Sequence, residues 1–593
     1  MKHVLGKVAA VALLAALVLW SVQSQAGVAT TKHNLSVTGP GTIKATSAVE
    51  TQTCVFCHVP HNASKAAPLW NRRTPANTYI TYTSTTNQAT VGQPDGSSLL
   101  CLSCHDGTIA LGELLSRGAS NVAMAGGVTT MPAGVGNVGL NLSDDHPVSF
   151  VYNAALMTAD GELANPATLT GKVRLQATKM QCSSCHDAHD NTNGKFLVMS
   201  NTASALCIVC HIKTNWAAGD HATKANTYTG ANITFNGTAY GTPWTHTSGT
   251  TVAANACESC HRPHTAPGTR RLLNYLKEED NCLVCHNGTA MNPALKNIAG
   301  EFTKASAHTM ATMGLTGTHD PTEAANVTAK HVECVDCHNP HQSRSPVSTN
   351  PVGNALAGPL IGARGVTLAN TAVASVAFEY QICFRCHGDT AATTGATPRV
   401  ARQIVQGNTR LEFQTTNPSY HPVGGVGKGT NVPSLVAGWT INSTMKCTHC
   451  HSNNTGPIVG VAGTGPNGPH ASIYTPILNK QFVATDTGIN SPYNAANFAL
   501  CYTCHAEALI YVDAGPFNKH RKHLDTGASC STCHDPHGVT TPGTIANNSH
   551  LINFNTAVVT PVGGIVRYTS TGVGSGTCTL SCHGRNHNSR NYP

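Results

Sequence analysis

Cys182-Ser-Ser-Cys185-His186-Asp-Ala-His189, followed after a leucine-bearing loop by Cys207-Ile-Val-Cys210-His211, decides how the rest of the chain is read. A near copy follows: Cys257-Glu-Ser-Cys260-His261-Arg-Pro-His264, then Cys282-Leu-Val-Cys285-His286, with the same 30-residue span from first cysteine to last histidine. Outward from these, the same unit recurs as Cys54-Cys57-His58, Cys101-Cys104-His105, Cys334-Cys337-His338, Cys383-Cys386-His387, Cys447-Cys450-His451, Cys501-Cys504-His505 and Cys530-Cys533-His534. Cys578 and Cys582 stand one residue further apart and are again followed at once by His583, so all 24 cysteines belong to twelve such units.

Two thiols three positions apart suit addition to the two vinyl groups of one porphyrin, and the next residue then lies beneath the iron. A disulfide framework or a zinc site would also use paired cysteines, but neither asks for a histidine directly after the second one. The spacing therefore predicts about twelve covalent c-type haems, with the twelve motif histidines as proximal ligands.

Of the 32 histidines, twelve are proximal and His3 lies at the N-terminus, which leaves nineteen for the second axial position. His61, His189, His264, His341 and His537 each stand three residues after a proximal histidine, and are expected to reach a neighbouring haem rather than their own. His146 and His421 share a His-Pro-Val context and are further candidates, followed by His33, His246, His308, His331, His470 and His523. For His221, His319, His449, His520, His550 and His587 a ligand role and a surface or supporting role stand level. With this surplus no methionine ligand is needed.

In order, the motifs form six pairs. The predicted division is a signal peptide at 1–26 and modules at 27–150, 151–240, 241–300, 301–425, 426–515 and 516–593, joined by Gly/Thr/Ala/Asn-rich connectors. Lys2 and Lys7 precede the apolar run Val8 to Trp20, and Ser24-Gln25-Ala26 offers small residues for cleavage. An uncleaved anchor would need a longer span than this run provides. No cysteine follows the run before Cys54, which argues against a lipoprotein. The expectation is a secreted protein of the periplasm or outer surface.

Composition fits a core supplied by the cofactor. There are 55 Gly and 31 Pro beside 5% aromatic and 11% charged residues, and few stretches have helical or alternating periodicity. The expected fold is a multihaem cytochrome c: mostly irregular coil with short helices at the Cys-x-x-Cys-His units, a core of stacked haems, and an elongated array of haem-pair modules. The formal charge of +8 falls to +6 without Lys2 and Lys7, and two propionates on each of twelve haems would carry it to about −18. The basic balance is thus no sign of nucleic-acid binding.

The doubled motif, with Val59-Pro60-His61, Arg262-Pro263-His264, Asn339-Pro340-His341 and Asp535-Pro536-His537, resembles the doubled-CXXCH multihaem cytochromes of metal-reducing bacteria. Ser143-Asp144-Asp145-His146-Pro147 and Ser549-His550-Leu551-Ile552-Asn553-Phe554 add to the likeness. The resemblance implies electron transport in anaerobic respiration, to acceptors such as metal oxides. Its partners would be other multihaem cytochromes or quinol-linked donors on one side and outer-membrane or extracellular acceptors on the other. Monomer, conduit subunit and filament all remain open. The expectation is an electron carrier and not an enzyme; the alternative is a multihaem reductase with one open-coordinate catalytic haem.

Overall fold

The computed structural model describes residues 27–592 except 47–49, 66, 68, 119–120, 135, 231–232, 236–237, 241–245, 309–321, 328–330, 346–351, 390–398, 489–490 and 515–517. The expected signal peptide and His319 lie outside the described residues.

Irregular coil dominates, as the lack of periodicity predicts, and the regular elements gather at the cysteine motifs. The longest described helices, α1 (Gly96–His105) and α2 (Tyr380–His387), both run into a motif and end on its histidine. Elsewhere the helix shrinks to one turn, as at Cys182–Cys185, Cys334–Cys337 and Cys530–Cys533. One turn is what the spacing requires, because residues three apart lie on the same side of a helix.

The second residue between the cysteines closes four of these turns. Ser184, Asp336, His449 and Thr532 accept a hydrogen bond from the backbone N–H of Gln181, Glu333, Lys446 and Ser529, the residue before each first cysteine. This satisfies a donor left free at a helix start. It also gives His449 a capping role.

No single apolar core forms among the described residues. Buried side chains collect in small clusters, the largest being Val366, Tyr380, Phe384, Phe413, Val423, Trp439 and Met445. Motif cysteines pack against several of them: Cys447, Cys450 and Cys504 on this one, Cys185 and Cys210 on Phe150, Tyr152, Leu156 and Met180. Apolar surface is thus gathered where the cysteines are.

The chain divides into two compact units. One holds the described residues up to Thr214 with Ala254–Leu276; the other holds Asn215–Ala253 and everything from Lys277 onward. Both carry the same kind of motif turn. The second ends in an antiparallel sheet of β1 (Val559–Thr560), β2 (Arg567–Gly572), β3 (Ser575–Cys582) and β4 (Arg585–Tyr592). Strand β3 pairs with β2 and β1 along one edge and with β4 along the other.

The last motif therefore lies on a strand instead of the short helix expected at every unit. The β-branched Thr577 and Thr579, on either side of Cys578, favour a strand. No described helix is long and apolar enough to cross a membrane.

Candidate haem centres

Nine motif histidines face a second histidine ring at nearly one distance. In the first unit the pairs are His58–His189 at 6.1 Å, His105–His33 at 6.2 Å, His186–His264 at 6.2 Å and His211–His146 at 6.2 Å between ring centres. In the second they are His286–His221 at 6.4 Å, His338–His470 at 6.1 Å, His387–His308 at 6.3 Å, His451–His537 at 6.1 Å and His534–His520 at 6.3 Å. This is too far for ring contact. It matches two imidazoles on opposite sides of one metal, which at a metal–nitrogen distance of about 2.0 Å sets ring centres about 6 Å apart.

The hydrogen bonds orient these rings. Nδ1 of His105, His186, His338, His451 and His534 donates to the carbonyls of Gly136, Lys195, Pro359, Pro476 and His550. Nδ1 of His33, His146, His221 and His308 donates to those of Ala188, Pro147, Pro340 and Pro469. His264 and His537 donate to the carboxylates of Asp145 and Glu412 instead. A carbonyl or carboxylate only accepts, so the proton is fixed on Nδ1 and the Nε2 lone pair is left for a metal.

The Cys-His-x-Pro-His pattern acquires a role here. The residue before the third-position histidine offers its carbonyl to a candidate ligand elsewhere. Ala188 receives Nδ1 of His33, Pro340 that of His221, and Pro536 that of His421, while Pro263 accepts the backbone N–H of His146. Proline has no N–H of its own but keeps this acceptor.

Burial holds the imidazoles neutral. Desolvation, reinforced by neighbouring histidines, drives His211 and His470 down to about 3, and His286, His387 and His451 to about 4. His505 and His534 fall to about 4 for the same first reason. His537 differs: burial pulls it down, but its bond to Glu412 wins and lifts it above the ordinary value. Neutral imidazole is the form that binds a metal.

Three of the five third-position histidines face a histidine of another motif. His189 of the third motif meets His58 of the first, His264 of the fifth meets His186 of the third, and His537 of the eleventh meets His451 of the ninth. His61 is exposed, and the ring of His341 stands edge-on to Trp216 at 6.2 Å. His261 is buried with Nδ1 bonded to the Arg271 carbonyl. His421 lies close enough to His505 to lower its pKa.

Other candidates are placed differently. His246 stacks on Tyr228 at 4.1 Å. His331 sits beside Glu323 at 3.0 Å and Asp336 at 3.8 Å, two carboxylates that also receive the buried Arg385. His523 faces His587 at 6.2 Å, while His583 places Nε2 3.2 Å from the Asp486 carboxylate. His221 and His520, which the sequence left level with surface residues, both face motif histidines.

The cysteines form a second regular pattern. The first cysteine of one motif lies within hydrogen-bonding reach of the first cysteine of the next in Cys101–Cys182, Cys207–Cys257, Cys282–Cys334, Cys383–Cys447 and Cys501–Cys530. The second cysteines are electrostatic neighbours in Cys57–Cys104, Cys185–Cys210, Cys337–Cys386, Cys450–Cys504 and Cys533–Cys582. Second cysteines thus meet inside a motif pair, and first cysteines meet between pairs.

No curated protein matches the chain. A family model does: the doubled CXXCH motif matches residues 176–215 and 250–291, the two stretches whose spacing is most alike. Cysteine turns, metal-poised histidine pairs and this match together make the chain a bearer of the doubled CXXCH motif, consistent with the multihaem c-type cytochromes.

Proposed function

We propose that the chain is a dodecahaem c-type cytochrome that carries electrons between respiratory partners outside the cytoplasm, each iron held by two histidines. One observation carries the reading: nine motif histidines each face a second histidine at 6.1–6.4 Å with Nδ1 or burial fixing the neutral ring. Haem c supplies one-electron redox chemistry when bound. The residues would do the rest: the cysteine turns would hold the porphyrin, and the paired imidazoles would hold the iron and leave it no position for a substrate. Stacked haems would then form the core that the small apolar clusters lack.

The N-terminal apolar run supports export and removal of residues 1–26. Partners would be other multihaem cytochromes or quinol-linked donors, and acceptors at or beyond the outer membrane such as metal oxides; a conduit or filament assembly fits the same role. The test is carbon monoxide added to the dithionite-reduced native protein, with electron paramagnetic resonance of the oxidised form. We expect low-spin iron throughout and no stoichiometric carbon monoxide binding. A full haem equivalent that binds carbon monoxide, or a stoichiometric high-spin signal, would instead indicate an open catalytic iron.

A further inference from the structure

The last motif does not repeat the geometry of the others. At Cys182–Cys185, Cys334–Cys337 and Cys530–Cys533 the cysteines span one helical turn, and the motif histidine leaves it in extended backbone, with φ −121°, −122° and −102°. Cys578 and Cys582 instead lie on β3 with Leu580, alternate residues of one strand beside Phe554 and Tyr568. Their Cα atoms are about 13 Å apart by the rise of a strand, against about 5 Å along one helical turn.

His583 then forms the hairpin turn between β3 and β4 with Gly584. Both residues have positive φ, 50° and 70°, as a two-residue hairpin of this hand requires. The turn sets Nε2 of His583 3.2 Å from the carboxylate of Asp486, with no hydrogen bond between them. Every motif histidine paired above whose hydrogen bond is known has its Nδ1 held by a partner instead.

Four residues further on, His587 has that arrangement. It lies on β4, its Nδ1 is held by the Tyr592 hydroxyl, and its ring centre stands 6.2 Å from that of His523 at an interplanar angle of 26°. Nδ1 of His523 donates to the Lys519 carbonyl at 2.7 Å. Spacing and orientation are those of the nine pairs.

Resting on the cytochrome reading, we propose that the iron of the last motif is held by His523 and His587, and that His583, although it directly follows Cys582, is a turn residue. His587 is thus the ligand that the motif rule misplaces. The sheet delivers it: β4 pairs with β3 through Leu580–His587 and Cys582–Arg585, which sets His587 beside the strand that bears both cysteines.

The test uses the full-length holoprotein and four variants: His587→Ala, His523→Ala, the double variant and His583→Ala. His587→Ala should keep the wild-type haem content and gain one equivalent of high-spin iron that binds carbon monoxide. His523→Ala should do the same, and the double variant should still show one equivalent, because both rings serve one iron. His583→Ala should stay low-spin.

A His587→Ala protein that stays low-spin overturns the inference, as do two equivalents in the double variant or a high-spin equivalent in His583→Ala. If His583→Ala loses its haem during maturation, the other three variants still decide. A wild-type protein without haem would mean that the cytochrome reading itself had failed; haem present with His587→Ala unchanged would mean that only this assignment had.

Discussion

At the scale of single residues, most of the ordering is done by buried polar groups. Arg385 is 2% exposed and spans Asp336 at 3.2 Å and Glu323, next to His331. Arg385→Met leaves two carboxylates facing each other without a cation, and removing one partner of a buried pair costs about 3–5 kcal/mol. We expect a loss of that order in denaturant unfolding, with haem content unchanged. A loss below 1 kcal/mol would mean that water already screens the cluster.

The desolvated imidazoles set the acid limit. Desolvation lowers His211 and His470 to about 3, and His286, His387 and His451 to about 4. Unfolded histidine binds its proton near 6.5, so between that value and 3–4 the unfolded state holds more protons and stability falls as the pH falls. His537 has the opposite sign, its raised pKa favouring the fold at lower pH. We expect low-spin iron to persist at neutral pH and to give way to high-spin iron as the solution is acidified through this window, read from the Soret band. Loss on raising the pH from 7 to 8 would contradict this.

Proximal residues were legible because their information lies in adjacent positions: Cys182, Cys185 and His186 are one turn and the next residue. His189, His264 and His537 were legible for a similar reason. His221 and His520 were not, since neither stands at a repeated offset from the histidine it faces, His286 or His534. His331 has surroundings that no local pattern marks: Glu323 and Arg385, far apart in sequence, meet around it.

Among elements, the motif turn is the unit that repeats, and its stability rests on a side chain that the five-letter motif leaves free. Thr532 Oγ1 accepts from the Ser529 N–H at 3.1 Å, and Ser184 Oγ accepts from Gln181 at the same distance. Thr532→Val removes this cap without changing side-chain size, and should lower stability by about 0.5–2 kcal/mol in denaturant melts. Thr532→Ser should restore most of it.

The C-terminal sheet is the element the sequence did not show. The wider spacing of Cys578 and Cys582 was visible, but a strand there is specified by hairpin pairing with β2 and β4 on either side, through residues outside the motif. The turns at the other motifs needed no such strand partner.

For the whole molecule, the small clusters carry a consequence for folding. Seven buried side chains form the largest of them, too few to offset the ordering of so long a chain, whose backbone costs about 1–2 kcal/mol per residue. Chain produced without haem attachment should therefore be largely unfolded, seen as rapid proteolysis throughout, whereas the holoprotein should yield a few limit fragments. Pyridine haemochrome assay with intact mass should give twelve haems for the 24 cysteines. Isoelectric focusing should place the holoprotein well below the sequence value of about 8.5, because propionates outnumber the excess basic residues.

The third-position histidines overlap like roof tiles, each covering a motif two places back: His189 over His58, His264 over His186, His537 over His451. Such an arrangement constrains how a chain of this kind can lengthen or shorten through duplication. A new pair of motifs inserted in step brings its own tile, whereas cutting out a pair leaves an upstream motif bare, so the damage surfaces away from the lesion. Where no such tile reaches, a histidine from elsewhere in the chain serves: His470 faces His338, and His520 on the short helix His520–Leu524 faces His534.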